Sequence, residues 1–266
     1  MKKTLLGAML LMTTLIADDI STYEYAKYQD VASVKAALST NKFQVIGEYD
    51  AMNDSNYHVI AYTCPTLKKL SSKENREMAA VQKVLVNKKD KTLVLTNPEY
   101  FLSAFLQDDF DGDAAKKVNS KLQKLFGDFT GSEDKLEDDD ISGYHFMMSM
   151  PYYEDMVELA EGKDLLAKLE KNAGKNVVFK LDINGATVVG IAMPTENGEA
   201  TYVEAIKGQN NAAFLPYMVV IKGDSAKMMH PKYYLAISNP MLSMGDFMGI
   251  SGTPDDIEEY MTSLFK

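Results

Sequence analysis

Thioether and imidazole side chains form the densest groups of chemistry-bearing residues in this sequence. Two clusters combine methionine with histidine, and the candidate metal ligands in them are His145, Met147, Met150, Met229 and His230. Sulfur and imidazole ligands together select Cu(I) over harder metal ions. Methionine is also a flexible filler of protein cores, which is the commoner role of such clusters. The spacing of Met241, Met244 and Met248 predicts a buried stripe on one face of a helix.

The single cysteine, Cys64, could act as a nucleophile if a base lay beside it and lowered its pKa. His58 precedes it on the same predicted strand, but it lies about 20 Å away at the rise of a strand. Because that distance is too long for activation, we expect a buried and inert cysteine. Thiol catalysis at Cys64 is the alternative. An internal disulfide is excluded because the chain has no second cysteine.

Acidic clusters suggest calcium, and residues 107–118 have the length and the central glycine of an EF-hand loop. With Gly112 at the sixth position, Gln107 and Val118 fall where aspartate and glutamate are required, so the motif fails. The sequence also contains no nucleophile elbow, phosphate-binding loop, zinc-protease motif or dinucleotide fingerprint. These absences favour binding over catalysis.

The formal net charge of the chain is −10, which argues against nucleic-acid binding because phosphate contacts need a concentrated basic surface. At the start of the chain, Lys2 and Lys3 precede an apolar run at residues 5–16, and Ala17 follows it. This layout is typical of a secretory signal peptide, residues 1–17, that is cleaved near Ala17 and is too short to span a bilayer. We therefore expect a periplasmic or secreted protein with no integral membrane segment in its mature chain.

The chain contains an internal repeat. Four pairs of anchors occur in the same order in both copies: Pro65 with Pro194, Val84 with Val219, Pro98 with Pro231, and Phe126 with Phe265. An internal repeat of this kind indicates two homologous domains. The repeat predicts a first domain at residues 18–127, a solvated acidic linker at 128–143 and a second domain at 144–266.

Each copy has the same pattern of elements. An amphipathic helix is followed by four β-branched runs, two of which end at a proline, and then by a closing helix. In the first copy Asp30 is the expected N-cap of the opening helix. The predicted fold class is α+β, with two β-α-β(4)-α domains, each an antiparallel-rich sheet with helices on one face.

The second copy resembles the bacterial domain of unknown function 302 family. Residues 214–231 keep the family's Leu-Pro as Leu215 and Pro216, with Tyr217 in place of its cysteine. The first copy reads Val81-Gln82-Lys83 at this place, and the family's Asn-Pro site reads Cys64-Pro65 and Met193-Pro194. The resemblance covers about 100 residues of each half. It implies a TATA-binding-protein-like α+β topology and brings no known activity.

These features predict an exported, non-enzymatic binding or interaction protein whose partner is a small ligand or an envelope protein. The candidate ligand-binding residues are Cys64, Met193, Tyr217, His230 and Tyr233. No cofactor is expected under this interpretation. The alternative is a periplasmic Cu(I)-binding protein that uses methionine, histidine and cysteine ligands, with copper as its bound metal.

Overall fold

A computed structural model describes residues 19–266, so the predicted signal peptide lies outside the described part of the chain. Helices and antiparallel strands alternate along that part, which confirms the predicted α+β class. Within residues 19–266 no helix is both long enough and apolar enough to cross a membrane.

The first half consists of β1 (Asp19–Ser21), β2 (Tyr23–Lys27), α1 (Val31–Thr40), β3 (Gln44–Asp50), β4 (Tyr57–Thr63), α2 (Pro65–Leu70), β5 (Gln82–Asn87), β6 (Thr92–Thr96), α3 (Pro98–Leu106) and α4 (Gly112–Phe126). The middle segment adds β7 (Thr130–Gly131), β8 (Lys135–Glu137) and α5 (Asp138–Ile141). The second half consists of β9 (Val157–Glu161), α6 (Leu165–Ala173), β10 (Val177–Ile183), β11 (Ala186–Ile191), α7 (Glu199–Ala205), β12 (Tyr217–Lys222), β13 (Ser225–Met228), α8 (Pro231–Ser238), α9 (Met244–Gly249) and α10 (Thr253–Ser263). Short 3₁₀ turns include Ala51–Asn53, Glu77–Ala80 and Gln209–Phe214.

Polar side chains cap the amino-terminal ends of α1, α3 and α8. Asp30 accepts a hydrogen bond from the Ser33 amide at 2.9 Å, which confirms it as the N-cap of α1. Asn97 caps α3, and His230 caps α8 by accepting from the Lys232 amide through Nδ1 at 3.2 Å. A proline occupies the first position of both helices, where its missing amide hydrogen costs no bond. The Asn-Pro and His-Pro pairs therefore mark equivalent helix starts.

One antiparallel sheet of eleven strands runs through both halves, in the order β7-β2-β6-β5-β4-β3-β10-β11-β12-β13-β9. Read outward from the centre, the first half gives β3-β4-β5-β6-β2 and the second gives β10-β11-β12-β13-β9. The two halves thus order their equivalent strands in the same way. They share one sheet, whereas the sequence predicted a separate sheet in each domain.

The two halves of the sheet join where β3 meets β10. Phe179 on β10 pairs with Gly47 on β3 and, on its other side, with Gly190 on β11. Both strands carry a bulge at this point, next to Gly47 and Phe179. A β-carbon on Gly47 would lie 2.2 Å from the Val178 carbonyl oxygen, and one on Gly190 would lie 2.2 Å from the Phe179 ring. Glycine is therefore required on both sides of Phe179.

Helices α3 and α8 connect the halves a second time, through a reciprocal pair of hydrogen bonds. The Tyr100 hydroxyl donates to the Ile237 carbonyl at 2.8 Å, and the Tyr233 hydroxyl donates to the Ala104 carbonyl at 3.1 Å. The alignment that pairs Pro98 with Pro231 also pairs these donors with each other and these acceptors with each other. The contact therefore has the character of a pseudo-two-fold interface.

Two 3₁₀ turns provide a third set of contacts between the halves. Gln209–Phe214 of the second half packs against β4, β5 and β6 of the first, and Glu77–Ala80 of the first half packs against β11 and β12. A single hydrophobic cluster contains buried residues of both halves. Consequently β5 and β12 are buried along almost their whole length.

The middle segment, expected to be a solvated linker, contributes to the structure at several points. Its strand β7 extends the sheet beside β2, and β8 pairs with β1. Ile141 is fully buried. Asp134 accepts hydrogen bonds from the Asn211 side chain at 2.7 Å and from the Met241 amide at 3.3 Å. These contacts could not be predicted from the acidic composition of the segment, since most of its other residues are exposed.

Candidate functional site

A cleft of about 430 Å³ lies where the two halves of the sheet meet. Its walls come from the end of β3 and the following turn on one side, and from the segment before β10 and the start of α7 on the other. Tyr49, Met52, Lys175, Met193 and Glu199 are among the lining residues. Concave sites with a few converging polar groups at a junction between structural units are the usual places for small ligands.

The first-half wall contains a strained turn. Met52 and Asn53 both have positive φ, at 59° and 55°. Asparagine tolerates this left-handed conformation, but methionine rarely adopts it, so the surrounding structure must hold Met52 in place. The contact that does so is a hydrogen bond from the Met52 amide to Glu199 Oε2 at 3.2 Å. Strain of this kind concentrates at functional sites.

Glu199 is the central acidic group of the cleft, although only 3% of it is exposed. Its Oε1 accepts from the Met193 amide at 3.1 Å, and its Oε2 accepts from the Tyr49 hydroxyl at 3.0 Å as well as from Met52. Burial raises the pKa of Glu199 to about 7, against the opposite effect of these donors and of Lys83. Burial and the Glu199 carboxylate together raise the pKa of Tyr49 well above its usual value. Near neutral pH the cleft therefore holds a carboxyl group that is poised between its two protonation states.

Replacing Glu199 by glutamine should change how stability depends on pH. Because its pKa rises from 4.5 to about 7 on folding, the stability contributed by its proton is present below pH 4.5 and is lost as pH rises toward 7. We expect the free energy of unfolding of the wild type, relative to Glu199→Gln, to fall by about 2 kcal/mol from pH 5 to pH 7. Urea denaturation at both pH values measures this difference. The exposed Glu196→Gln change is the matched control, and the same slope in both comparisons would contradict the assignment to Glu199.

The five sequence-predicted ligand residues do not come together in this cleft. Met193 lines it, mainly through its backbone, which binds the Glu199 side chain and amide. Tyr217 and Tyr233 are buried, and their hydroxyls donate to the carbonyls of Met229 and Ala104. His230 is half-buried and caps α8. The two tyrosine hydroxyls and His230 Nδ1 thus have structural partners within the protein.

Cys64 is buried, with 5% of its surface exposed, and it precedes α2 without a side-chain capping bond. His58 lies with its Nδ1 2.7 Å from Asp50 Oδ1 and its Nε2 3.5 Å from Glu48 Oε2. The imidazole is therefore occupied by carboxylates rather than by the thiol. His58 is therefore not a base for the Cys64 thiol.

The predicted metal ligands fall into different environments. Met229 is fully buried, Met147 is exposed, and His145 and Met150 are half-buried. Across residues 19–266 no group of three or more histidine, cysteine, aspartate or glutamate side chains could hold a metal ion. The prediction of a buried stripe in α9 is wrong: Met241, Met244 and Met248 are 64%, 45% and 63% exposed, because α9 turns Phe247 inward instead.

A second concavity, of about 520 Å³, lies beside β2 and α4 and is lined only by residues before position 139. Burial, and then the Glu99 carboxylate, raise the pKa of Glu24 there to about 7. The Asn119 side chain donates a hydrogen bond to Glu99 Oε1 at 3.0 Å, so one carboxylate of the Glu24–Glu99 pair has a donor. This groove has neither the strained turn nor contributions from both halves. The cleft at Glu199 is therefore the better candidate site.

Sequence reasoning missed Glu199, but the repeat contains a signal for it. The interval between the matched proline and the matched valine is longer in the second copy than in the first, and Glu199 and the start of α7 lie within it. In the first copy α2 begins directly at Pro65. The acidic group of the cleft thus comes from a segment that is longer in the second copy, while Tyr49 and Met52 of the first half complete the site.

Comparisons of the chain with protein-family models, with curated proteins and with solved structures found no match. The resemblance to the domain of unknown function 302 family stays a prediction for this reason, and so does the common origin of the two halves.

Proposed function

We propose that this protein is an exported, non-enzymatic binding protein whose ligand site is the cleft at Glu199. The single observation that supports this most directly is the buried Glu199 carboxyl, held by three donors from both walls of the cleft. We also propose that the halves arose by duplication of a module like the domain of unknown function 302, since their equivalent strands have the same order. The amino-terminal signal-peptide pattern supports a periplasmic or secreted location.

The charges of the cleft favour a ligand with a cationic or hydrogen-bond-donating group. Asp50 lies exposed at its rim and Glu199 in its wall, and Lys175 is the opposing charge. Only three of the four acceptor positions of an ionised Glu199 are used. A small primary amine would stabilise the ionised carboxylate, and it would displace the proton that Glu199 partly retains near pH 7. The ligand class we propose is therefore a small amine.

Thermal unfolding with a panel of short primary amines, each paired with the alcohol of equal length, tests the site. Ligand that binds only the folded state raises the melting temperature as its concentration increases. We expect an amine of the panel to raise the melting temperature of the wild type, and the matched alcohol to leave it unchanged. In Ala200→Trp, where an indole fills the cleft beside α7, the shift should disappear.

Ala36→Trp is the matched control, because Ala36 is also an exposed helical alanine but lies on α1, away from the cleft. It should retain the amine-dependent shift of the wild type. An equal shift in Ala200→Trp would place the binding elsewhere and overturn the proposed site. If no amine in the panel shifted the wild type, the proposed ligand class would be wrong.

A further inference from the structure

The large hydrophobic side chains that stay exposed in residues 19–266 are confined to two segments. They are Met147, Met148 and Tyr152 in the loop before β9, and Met241, Met244 and Met248 in and before α9. Five of the six are methionine, and none is leucine, isoleucine or phenylalanine. Met148 is the most open, at 98% exposure. The surface thus displays thioethers selectively, rather than apolar side chains in general.

An aromatic stack holds the two segments together. The rings of Phe146 and Phe247 lie with centroids 4.7 Å apart and an interplanar angle of 22°. Met147 and Met148 directly follow Phe146, so they emerge beside α9. Met244 and Met248 are four residues apart, which places them on the same helical face about 5–6 Å apart at Cβ. The stack therefore brings the loop that carries Met147 and Met148 against α9, which carries Met244 and Met248.

An imidazole lies at the edge of the same surface. His145 precedes Phe146, and its ring packs on Tyr152 with centroids 4.4 Å apart. Its ring nitrogens make only two long polar contacts, both 3.5 Å, to the Gly143 carbonyl and the Tyr152 hydroxyl. Contacts of that length are weak, so either nitrogen can take a stronger ligand.

We propose that the methionine surface, defined as His145, Met147, Met148, Met244 and Met248, binds a soft monovalent cation, Cu(I) or Ag(I). Neutral thioethers and imidazole suit these ions and suit harder cations poorly. The ligand set differs from the one that the sequence suggested, because Met229 is in the core and His230 caps α8. The site is also separate from the cleft at Glu199.

Competition for Cu(I) between the full chain and a chromophoric Cu(I) chelator, under a reductant, tests the proposal. We expect the wild type to withdraw roughly one equivalent of Cu(I) from the chelator. The double change Met244→Leu with Met248→Leu conserves volume and apolar surface but removes both sulfur atoms. It should weaken Cu(I) binding by about 10-fold or more. His145→Ala should weaken it in the same direction.

Met156→Leu is the matched control, since Met156 is half-buried outside the methionine surface and should leave the affinity unchanged. Ala200→Trp should also bind Cu(I) as the wild type does, which separates this proposal from that for the cleft. No Cu(I) uptake by the wild type would overturn the proposal. Equal uptake by the wild type and the double leucine variant would also overturn it, as would uptake that depends on Cys64 instead.

Discussion

Gly47→Ala is expected to destabilise the protein by about 3 kcal/mol or more, because it disrupts the only pairing between the two halves of the sheet in the described chain. The new β-carbon would lie 2.2 Å from the Val178 carbonyl oxygen and 2.7 Å from the Phe179 β-carbon. Both atoms belong to the backbone or adjoin it, so neither can move aside without shifting β10. The free energy of unfolding from urea denaturation measures the loss.

Gly143→Ala provides the control for the general effect of adding a methyl group at a glycine. Its β-carbon would have no atom within 4 Å, and its φ is not in the left-handed region. We expect a change within about 0.5 kcal/mol. Should Gly47→Ala cost no more than Gly143→Ala, the close approach of β3 and β10 at Phe179 would not exist in solution.

The fold class could be predicted from the sequence because the periodic patterns are local. Asp30 and the alternation of β-branched runs identify elements without reference to the rest of the chain. The repeated anchors at Pro98 and Pro231 likewise mark the same local event twice, a strand end and a proline at the start of a helix. Local signals of this kind fix where elements begin, and they leave open which elements pair.

For that reason the sequence could not predict that the two halves share one sheet. The sequences of β3 and β10 do not indicate that these strands pair with each other, and their pairing rests on one aligned pair, Phe179 with Gly47. A glycine inside a strand indicates a bulge or a close approach, but it does not name the strand that approaches. Similarly, the acidic segment at 128–143 gave no sign of its buried contacts, since its apolar residues Phe129, Leu136 and Ile141 are too scattered to show a helical or strand period, although all three pack against the core.

The candidate site escaped prediction because burial, rather than a motif, gives its residues their chemical character. Glu199 has no distinctive neighbours in sequence, and its donors Tyr49 and Met52 come from the other half of the chain. In sequence, Lys83 is distinguished only as a departure from the Leu-Pro-Cys pattern of the domain of unknown function 302 family. In the structure it is 2% exposed and reaches across to the second half.

Lys83 connects β5 to the second half through three acceptors. Its Nζ donates to the Phe214 carbonyl, to the Pro216 carbonyl at 3.1 Å and to the Tyr234 hydroxyl at 2.9 Å. Burial lowers the pKa of Lys83 from 10.5 to about 7, and the Glu199 carboxylate opposes this shift. Because burial disfavours the charged form, the amine loses its proton at a lower pH in the folded protein than in the unfolded chain.

Lys83→Met should therefore remove a rise in stability at alkaline pH. Between pH 7 and pH 10 the unfolded chain keeps the lysine proton and the folded protein has lost it, so stability increases with pH over this range. We expect the free energy of unfolding of the wild type, relative to Lys83→Met, to increase by about 4 kcal/mol from pH 7 to pH 10. Tyrosines that ionise in the unfolded chain act equally on both proteins, so the difference isolates Lys83. Lys27→Met, at an exposed strand position, is the control and should show no such increase. If the wild type and Lys83→Met had parallel pH profiles of stability, Lys83 would not be buried between the two halves.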